Sequence, residues 1–165
     1  MSVEAKQAKQ VIIDEIKEKL DGAQSAVVID YMGTTVAQAD AMRKKLREAN
    51  VDYTVYKNTL IKRAIEGTEF APLADVLDGP SAIAISKEDA TAPARVLKEV
   101  IDEFKKMEFK AGVVEGNFFD QNGIKEIASI PSRDVLIAKF MGSIQSPVSK
   151  AVRTFQAIAD AKAEA

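Results

Sequence analysis

The 165-residue sequence contains no cysteine and no histidine. The absence of cysteine excludes disulfides, thiolate metal ligands and a cysteine nucleophile, and it is typical of a reducing cytosolic compartment. The absence of histidine excludes the serine–histidine triad, the usual imidazole general base and the commonest metal ligand in proteins. We therefore expect no cofactor and no metal site.

Long apolar runs are absent as well. The first ten residues, MSVEAKQAKQ, are polar and charged where a signal peptide needs an apolar segment. No run approaches the roughly 20 apolar residues of a membrane span. The 47% hydrophobic content is nevertheless enough for a core, so we expect a soluble cytoplasmic protein without a membrane partner.

Motifs for enzymatic chemistry are missing too. The sequence has neither a Walker phosphate-binding motif nor the glycine fingerprint of dinucleotide-binding folds, and it lacks zinc and EF-hand ligand spacings. Neighbouring carboxylates such as Glu88 and Asp89 diverge when they lie on a helix, so we expect no shared catalytic proton. The sequence points to no enzyme and to no small-molecule substrate.

What the sequence contains is an alternation of strand-like and helix-like segments. Runs rich in β-branched residues lie at 25–31, 51–56, 77–86 and 109–116. Helical spacing of apolar residues marks the N-terminus, 35–49 with a Thr35–Gln38 capping box, the stretch after Asn58, 90–106, 120–129 and 132–142. This predicts an α/β fold of the α+β type, with a mixed sheet of about four strands flanked by helices.

The last 23 residues predict a separate amphipathic helix. Gly142 is expected to end the preceding helix, and Ser146 and Pro147 are good residues to start a new one. The domains are therefore predicted as a globular part, 1–142, and a C-terminal helix, 143–165. One helix face carries an apolar stripe formed by Val148, Val152, Phe155, Ile158 and Ala159.

This stripe has to be covered, because an isolated helix of about four turns is marginal in water. Burial of its four large side chains at ~1.5–3 kcal/mol each gives a gross gain on the order of 6–12 kcal/mol, which is comparable with the cost of association. A dedicated protein partner is thus one interpretation. The other is that the helix folds back on its own domain.

Charge is distributed unevenly along the chain. The formal net charge is −2, but residues 30–66 hold seven Lys/Arg against five Asp/Glu, whereas residues 67–104 hold three against eight. The basic residues cluster in RKKLR at 43–47 and in KNTLIKR at 57–63. These clusters are either solvated helix faces or the contact surface for a polyanion.

The junction VYKNTLIKRAIEG, residues 55–67, predicts an anion site. A strand reaches Lys57, and Asn58 is a good N-cap for the short helix that follows. Amide groups without intrahelical partners and the positive end of the helix dipole lie at such a start, and they favour phosphate. The residues predicted for this site are Lys57, Asn58, Thr59, Lys62 and Arg63.

The loop DYMGTT, residues 30–35, is a second candidate contact. Tyr31 has a ring that stacks on a base or ribose, and Gly33 allows close backbone approach. An ordinary strand-to-helix turn is the alternative. If the strands before the two loops run parallel, both loops leave the sheet at the same end and form one RNA-sized surface with Arg43 of the RKKLR face.

Four longer stretches carry a family resemblance. They resemble bacterial ribosomal protein L10, the stalk-base family of the large subunit, and in chain order they are DYMGTTVAQADAMRKKLREANVDY, YKNTLIKRAIEGTEF, LDGPSAIAIS and IPSRDVLIAKFMGSIQSPVSKAVRTFQAIADAKAEA. The resemblance covers essentially the whole chain in the right order. It implies a structural, non-catalytic protein that is ribosome-bound in the cytoplasm.

The resemblance also implies partners and site residues. Members of the family bind large-subunit ribosomal RNA at the stalk base, near protein L11, and their C-terminal helix recruits L7/L12 dimers that engage translational GTPases. On this chain the RNA motif falls on the junction residues from Lys57 to Arg63 and on the loop residues Tyr31, Gly33 and Thr34. Many relatives have arginine where this chain has Met32.

The stalk-binding helix of the family falls on the apolar stripe, so the resemblance favours a protein partner over folding back. The alternative function is a small α/β enzyme or phosphate-binding module in which the helix start at Lys57 binds a metabolite phosphate.

Overall fold

A computed structural model describes the backbone of residues 3–163. Side chains are described over the same range except at positions 3–6, 8, 147, 148, 151, 159 and 161–163. Two predicted partner-binding residues, Val148 and Ala159, lie outside the described side chains. The chain divides into two compact units, Met1–Ile130 and Pro131–Ala165.

Helices and strands alternate as the sequence predicts. Helices α1 to α6 span Val3–Leu20, Val36–Glu48, Asn58–Ile65, Ala92–Phe104, Gln121–Ile127 and Arg133–Ala163. Strands β1 to β5 span Ser25–Asp30, Val51–Thr54, Ala82–Ser86, Glu108–Val114 and Asn117–Asp120. A 3-10 helix, Ala71–Val76, lies between α3 and β3.

The five strands form one open sheet in the order β2-β3-β1-β4-β5, and every neighbouring pair is antiparallel. The predicted α+β class is confirmed, but the predicted mixed sheet is wrong, because this sheet is antiparallel throughout, and it has one strand more than expected. Because β1 and β2 are both antiparallel to β3, they run in the same direction. The loops after β1 and β2 therefore leave the sheet at one edge, which we call the carboxyl edge.

The additional strand is β5. Glu115 and Gly116 both have positive φ, 50° and 76°, and they join β4 to β5 as a two-residue hairpin turn in which Val114 pairs with Asn117. The sequence predicted a turn here followed by a helix from about residue 120. Four residues that include two phenylalanines are too few for a strand pattern to stand out from the helix that follows.

Buried side chains form one apolar cluster on each face of the sheet. Helices α2, α4 and α5 cover one face, with Met42, Leu46 and Leu97 fully buried. Helices α1 and α3 and the 3-10 helix cover the other face, with Ile16 and Ile61 fully buried. The two basic segments therefore belong to helices on opposite faces.

The second compact unit is dominated by α6. The prediction that one helix ends at Gly142 and another begins near Ser146 is wrong, because α6 continues through both residues and through Pro147. The predicted domain boundary at 142/143 falls inside this helix. Among the residues that the structure describes, no helix combines the length and the apolar character that a bilayer span requires.

Candidate nucleic-acid interface

The loop after β1, residues 31–35, has an ordered shape. The Met32 N–H donates to Asp30 Oδ1 at 2.8 Å, and the Thr34 hydroxyl donates to the Tyr31 carbonyl at 2.8 Å. Gly33 has φ +80°, a left-handed conformation that side chains disfavour. The loop then enters α2 through the predicted capping box, which is confirmed: Thr35 and Gln38 exchange two hydrogen bonds.

The two residues at the tip of this loop differ in exposure. Tyr31 is partly buried and packs against the apolar cluster beneath α2 and α4. Met32 is 65% exposed. The loop thus presents an apolar tip above a partly buried aromatic ring.

The start of α3 differs from the prediction at Asn58. The N-cap residue is Lys57, whose carbonyl accepts from the N–H groups of Leu60 and Ile61. Asn58 does not cap the helix; its side-chain amide donates to the Gly79 carbonyl at 2.8 Å. The loop before β3 therefore holds the helix start in place, and the first N–H groups of α3, which have no intrahelical acceptor, lie at the carboxyl edge.

The cations of this helix have different surroundings. Within the described part of the chain, neither Lys57 nor Arg63 has an acidic group within 4.0 Å, and both are exposed. The Lys62 ammonium lies 3.7 Å from Asp78, whose side chain is 88% exposed. Exposed pairs of this kind contribute little free energy, so a phosphate can replace Asp78 at low cost.

A polar network ties the end of β2 to α1. The Tyr56 hydroxyl donates to Glu15 at 2.9 Å, and the Lys19 ammonium pairs with Asp52 at 2.9 Å. Burial alone lowers the pKa of Lys19, but hydrogen bonds with Asp52 and Tyr56 outweigh it and raise that pKa above its usual range. In this network one ammonium pairs with two carboxylates, and the contacts hold the chain just before Lys57 against α1.

Arg43 is the predicted residue that the structure places apart. It lies on α2, which packs on the face of the sheet opposite to α3, and its guanidinium pairs with Asp40 at 3.3 Å. The loops after β1 and β2 and the start of α3 lie at the carboxyl edge, whereas Arg43 lies on a helix that covers the other face of the sheet from α3.

Sequence reasoning missed Lys106. A cavity of about 380 Å³ at the carboxyl edge is lined by Met32, Gly33 and Lys106, together with the carboxylates of Asp30 and Glu108. Lys106 lies between α4 and β4, in a segment without a motif. Only the sheet order, which places β4 beside β1, brings this lysine next to the loop after β1.

Comparison with known proteins identifies the family. The family profile described as Ribosomal protein L10 matches residues 4–102, and the profile described as Ribosomal protein uL10 C-terminal region matches residues 130–165. The chain belongs to the ribosomal protein L10 family.

Two relatives show how far the similarity extends. The large ribosomal subunit protein uL10 of Clostridioides difficile (strain 630) is 48% identical over 152 residues, which cover 92% of this chain and 90% of that protein. The protein of the same name from Bacillus cereus (strain B4264) is 42% identical over 158 residues, or 96% and 95% of the two chains.

L10-family membership decides several predictions. It confirms a ribosomal protein of the large subunit, ribosome-bound in the cytoplasm, and it assigns the chain to a structural family without catalytic activity. The alternative of a small α/β enzyme is therefore wrong. The residues that bind RNA and protein partners remain predictions.

The second L10-family profile begins within one residue of the second compact unit, which contains α6. Three of the predicted partner-binding residues are exposed on this helix: Val152 at 57%, Phe155 at 72% and Ile158 at 51%. The apolar stripe is also longer than predicted. Five further exposed apolar residues extend it toward the N-terminus: Leu136, Ile137, Phe140, Met141 and Ile144.

These additional residues carried a signal that the sequence reasoning did not use. Leu136, Phe140, Ile144, Val148 and Val152 follow one another at intervals of four, which is the spacing of one helix face. The expected helix end at Gly142 interrupted this pattern, so the residues before it were assigned to the globular domain.

Proposed function

We propose that this chain binds large-subunit ribosomal RNA at the stalk base, beside protein L11, through the carboxyl edge of its sheet. The observation that carries the RNA proposal is the pair of exposed cations on α3, Lys57 at its N-cap and Arg63 in its last turn, which have no acidic partner among the described residues. The position beside L11 is supported by the family resemblance alone.

Electrostatics explains how a chain of net charge −2 binds a polyanion. Binding depends on the local arrangement of charges within about 10 Å, the screening length at 0.1 M salt, and not on the total charge. Lys57, Arg63 and the N–H groups at the start of α3 supply phosphate contacts. Asn58 and Thr59 add polar contacts, and Tyr31, Gly33 and Thr34 bring the second loop to the same edge.

Salt dependence tests this proposal. In a filter-binding titration with an in vitro transcript of the stalk-base segment of large-subunit ribosomal RNA, Lys57→Ala and Arg63→Ala each lower affinity. Each variant also reduces the slope of log affinity against log salt by roughly 0.7–0.9, because each removes one phosphate contact. The double variant reduces the slope by about twice that amount.

Lys17→Ala is the matched control for Lys57→Ala, because Lys17 is an exposed lysine near the end of α1, the helix that leads into the start of β1. It should leave affinity and slope unchanged. If the double variant binds this RNA with the slope of the wild type, the start of α3 does not contact phosphate and the proposal fails.

We also propose that α6 recruits L7/L12 dimers through its apolar stripe. The helix spans 31 residues, which corresponds to ~46 Å at 1.5 Å per residue. Exposed apolar side chains recur along it from Leu136 to Ile158. A continuous apolar face of this length is typical of a helix that lies in a groove of its partner.

Phe155→Asp tests the recruitment of L7/L12. Loss of an aromatic side chain on which an interface depends typically costs at least ~2 kcal/mol of binding free energy. The affinity for purified L7/L12 should therefore fall by about 30-fold or more in isothermal calorimetry. Arg153→Asp is the control, because it introduces the same residue on the opposite side of the helix. Equal losses for both variants would contradict binding through the stripe.

A further inference from the structure

Lys110 of β4 donates three hydrogen bonds, although no sequence motif marks this residue. Its ammonium donates to the Pro80 carbonyl at 2.8 Å, to the Ser81 hydroxyl at 3.0 Å and to the Asp78 carbonyl. Only 16% of the Lys110 side chain is exposed. Because an ammonium has three N–H donors, these contacts occupy all of them and leave none for an RNA phosphate.

The backbone directs this side chain across the sheet. The pairing of β4 with β1 shifts register at Lys110: Val28 pairs with Ala111 and Ile29 pairs with Phe109, so Lys110 has no opposite residue. An extra residue of this kind is a β-bulge, which redirects a side chain. Since β1 lies between β4 and β3, Lys110 crosses the end of β1 to reach the loop before β3.

Lys110 thereby connects both loops of the candidate RNA interface. The residues that it holds, 78–81, include Gly79, whose carbonyl accepts from Asn58 at the start of α3. On its other side the ammonium lies 3.8 Å from Asp30 Oδ2, and Asp30 Oδ1 accepts from the Met32 N–H in the loop after β1. One largely covered ammonium therefore lies between the two loops.

We propose that Lys110 is a positioning residue for RNA binding: it fixes the spacing between the loop after β1 and the start of α3 without contacting RNA. The proposal rests on the RNA-binding function proposed above. Preorganised contacts bind more tightly because less ordering is left to occur on association. Loss of Lys110 should therefore weaken binding while the number of phosphate contacts stays the same.

The test compares Lys110→Met with Lys57→Met, since both remove one positive charge. Lys110→Met should lower affinity for the stalk-base transcript about tenfold, equivalent to one or two net hydrogen bonds, with the salt slope of the wild type. Lys57→Met should reduce the slope. A reduced slope for Lys110→Met, or unchanged affinity, would overturn the proposal.

Nitrogen–proton NMR spectra of the free protein give a readout that does not depend on RNA. Lys110→Met should shift the side-chain amide signals of Asn58 and the backbone amide signal of Met32. The control Lys87→Met removes a lysine that donates to the Glu18 carbonyl at the opposite edge, and it should leave both signals in place. Unmoved signals in Lys110→Met would show that Lys110 does not hold the loops.

Lys110→Arg keeps the charge and several donors, so it should retain most of the affinity and keeps the test informative if Lys110→Met does not fold. A folded Lys110→Arg variant that binds the transcript as weakly as Lys110→Met would count against positioning by hydrogen bonds. If the wild type does not bind the transcript, the proposed function fails, whereas the NMR comparison still decides the role of Lys110.

Discussion

Lys57 and Lys110 carry the same charge at the same edge of the sheet but have different surroundings. Lys57 is exposed and has no acidic partner among the described residues, whereas Lys110 is largely buried and donates to three protein oxygens. Their expected effects on RNA binding differ accordingly, because counterions are released only by a cation that contacts and neutralises a phosphate. Sequence reasoning found Lys57 through its motif, and only the sheet geometry reveals Lys110.

Tyr53 gives a pH prediction at the same scale. Burial raises the pKa of its phenol to about 12. Because the folded protein keeps this proton while the unfolded chain loses it near pH 10, the contribution to stability is complete below about pH 10 and is lost between about pH 10 and pH 12. Absorbance titration at alkaline pH should show a phenol that ionises near pH 12.

Tyr53→Phe is the control for this titration. It should remove the late-ionising phenol and also remove the corresponding loss of stability in denaturant unfolding between pH 10 and pH 12. The variant is needed for the assignment, because the chain has three tyrosines and burial raises the pKa of Tyr56 as well. A titration in which every tyrosine ionises near pH 10 would contradict the burial of Tyr53.

At the scale of elements, α6 shows the limit of local signals for helix ends. Glycine and proline inside a helix cost about 1 and 3 kcal/mol relative to alanine, which made Gly142 and Pro147 reasonable places to predict a break. The helix nevertheless continues through both, and its apolar residues keep one periodicity on either side of them. Periodicity was the better guide here than the two residues.

Strand β5 is an element that local signals failed to predict. Its two-residue turn, Glu115–Gly116, is a recognisable hairpin signal, but a four-residue strand is too short to display an alternating pattern. It forms because its backbone pairs with that of the neighbouring strand β4. Its existence depends on a tertiary neighbour more than on its own residues.

The whole molecule divides at Ile130, and a truncation after this residue tests the separation of functions. The apolar clusters on both faces of the sheet lie within Met1–Ile130. We therefore expect the truncated chain to remain folded, to unfold at a similar temperature and to bind the RNA transcript with the salt slope of the full chain. It should no longer retain L7/L12 in a co-purification.

Truncation after Gly142 is the informative comparison, because it leaves the first ten residues of α6 with the exposed side chains of Leu136 and Phe140. If these residues contribute to partner binding, this longer chain should retain some L7/L12, and the chain that ends at Ile130 none. Unfolding of the shorter chain would instead show that α6 belongs to the core.

Much of this protein follows from its sequence alone. Hydrophobic periodicity identified the helices and the main strands, and the Thr35–Gln38 capping box was correct, because these signals act between residues a few positions apart. The basic junction at Lys57 and the apolar stripe around Phe155 were also predicted from local sequence, and their roles in binding remain predictions. The family resemblance then assigned the molecule to the ribosome.

Only the tertiary structure decided how these parts meet. It placed β1 and β2 in the same direction on either side of β3, separated Arg43 from α3 on opposite faces, and gave Asn58 a tie to the Gly79 carbonyl in place of a cap. Strand order and register arise from pairing between residues that are far apart in the chain, and a local pattern carries no information about such pairing.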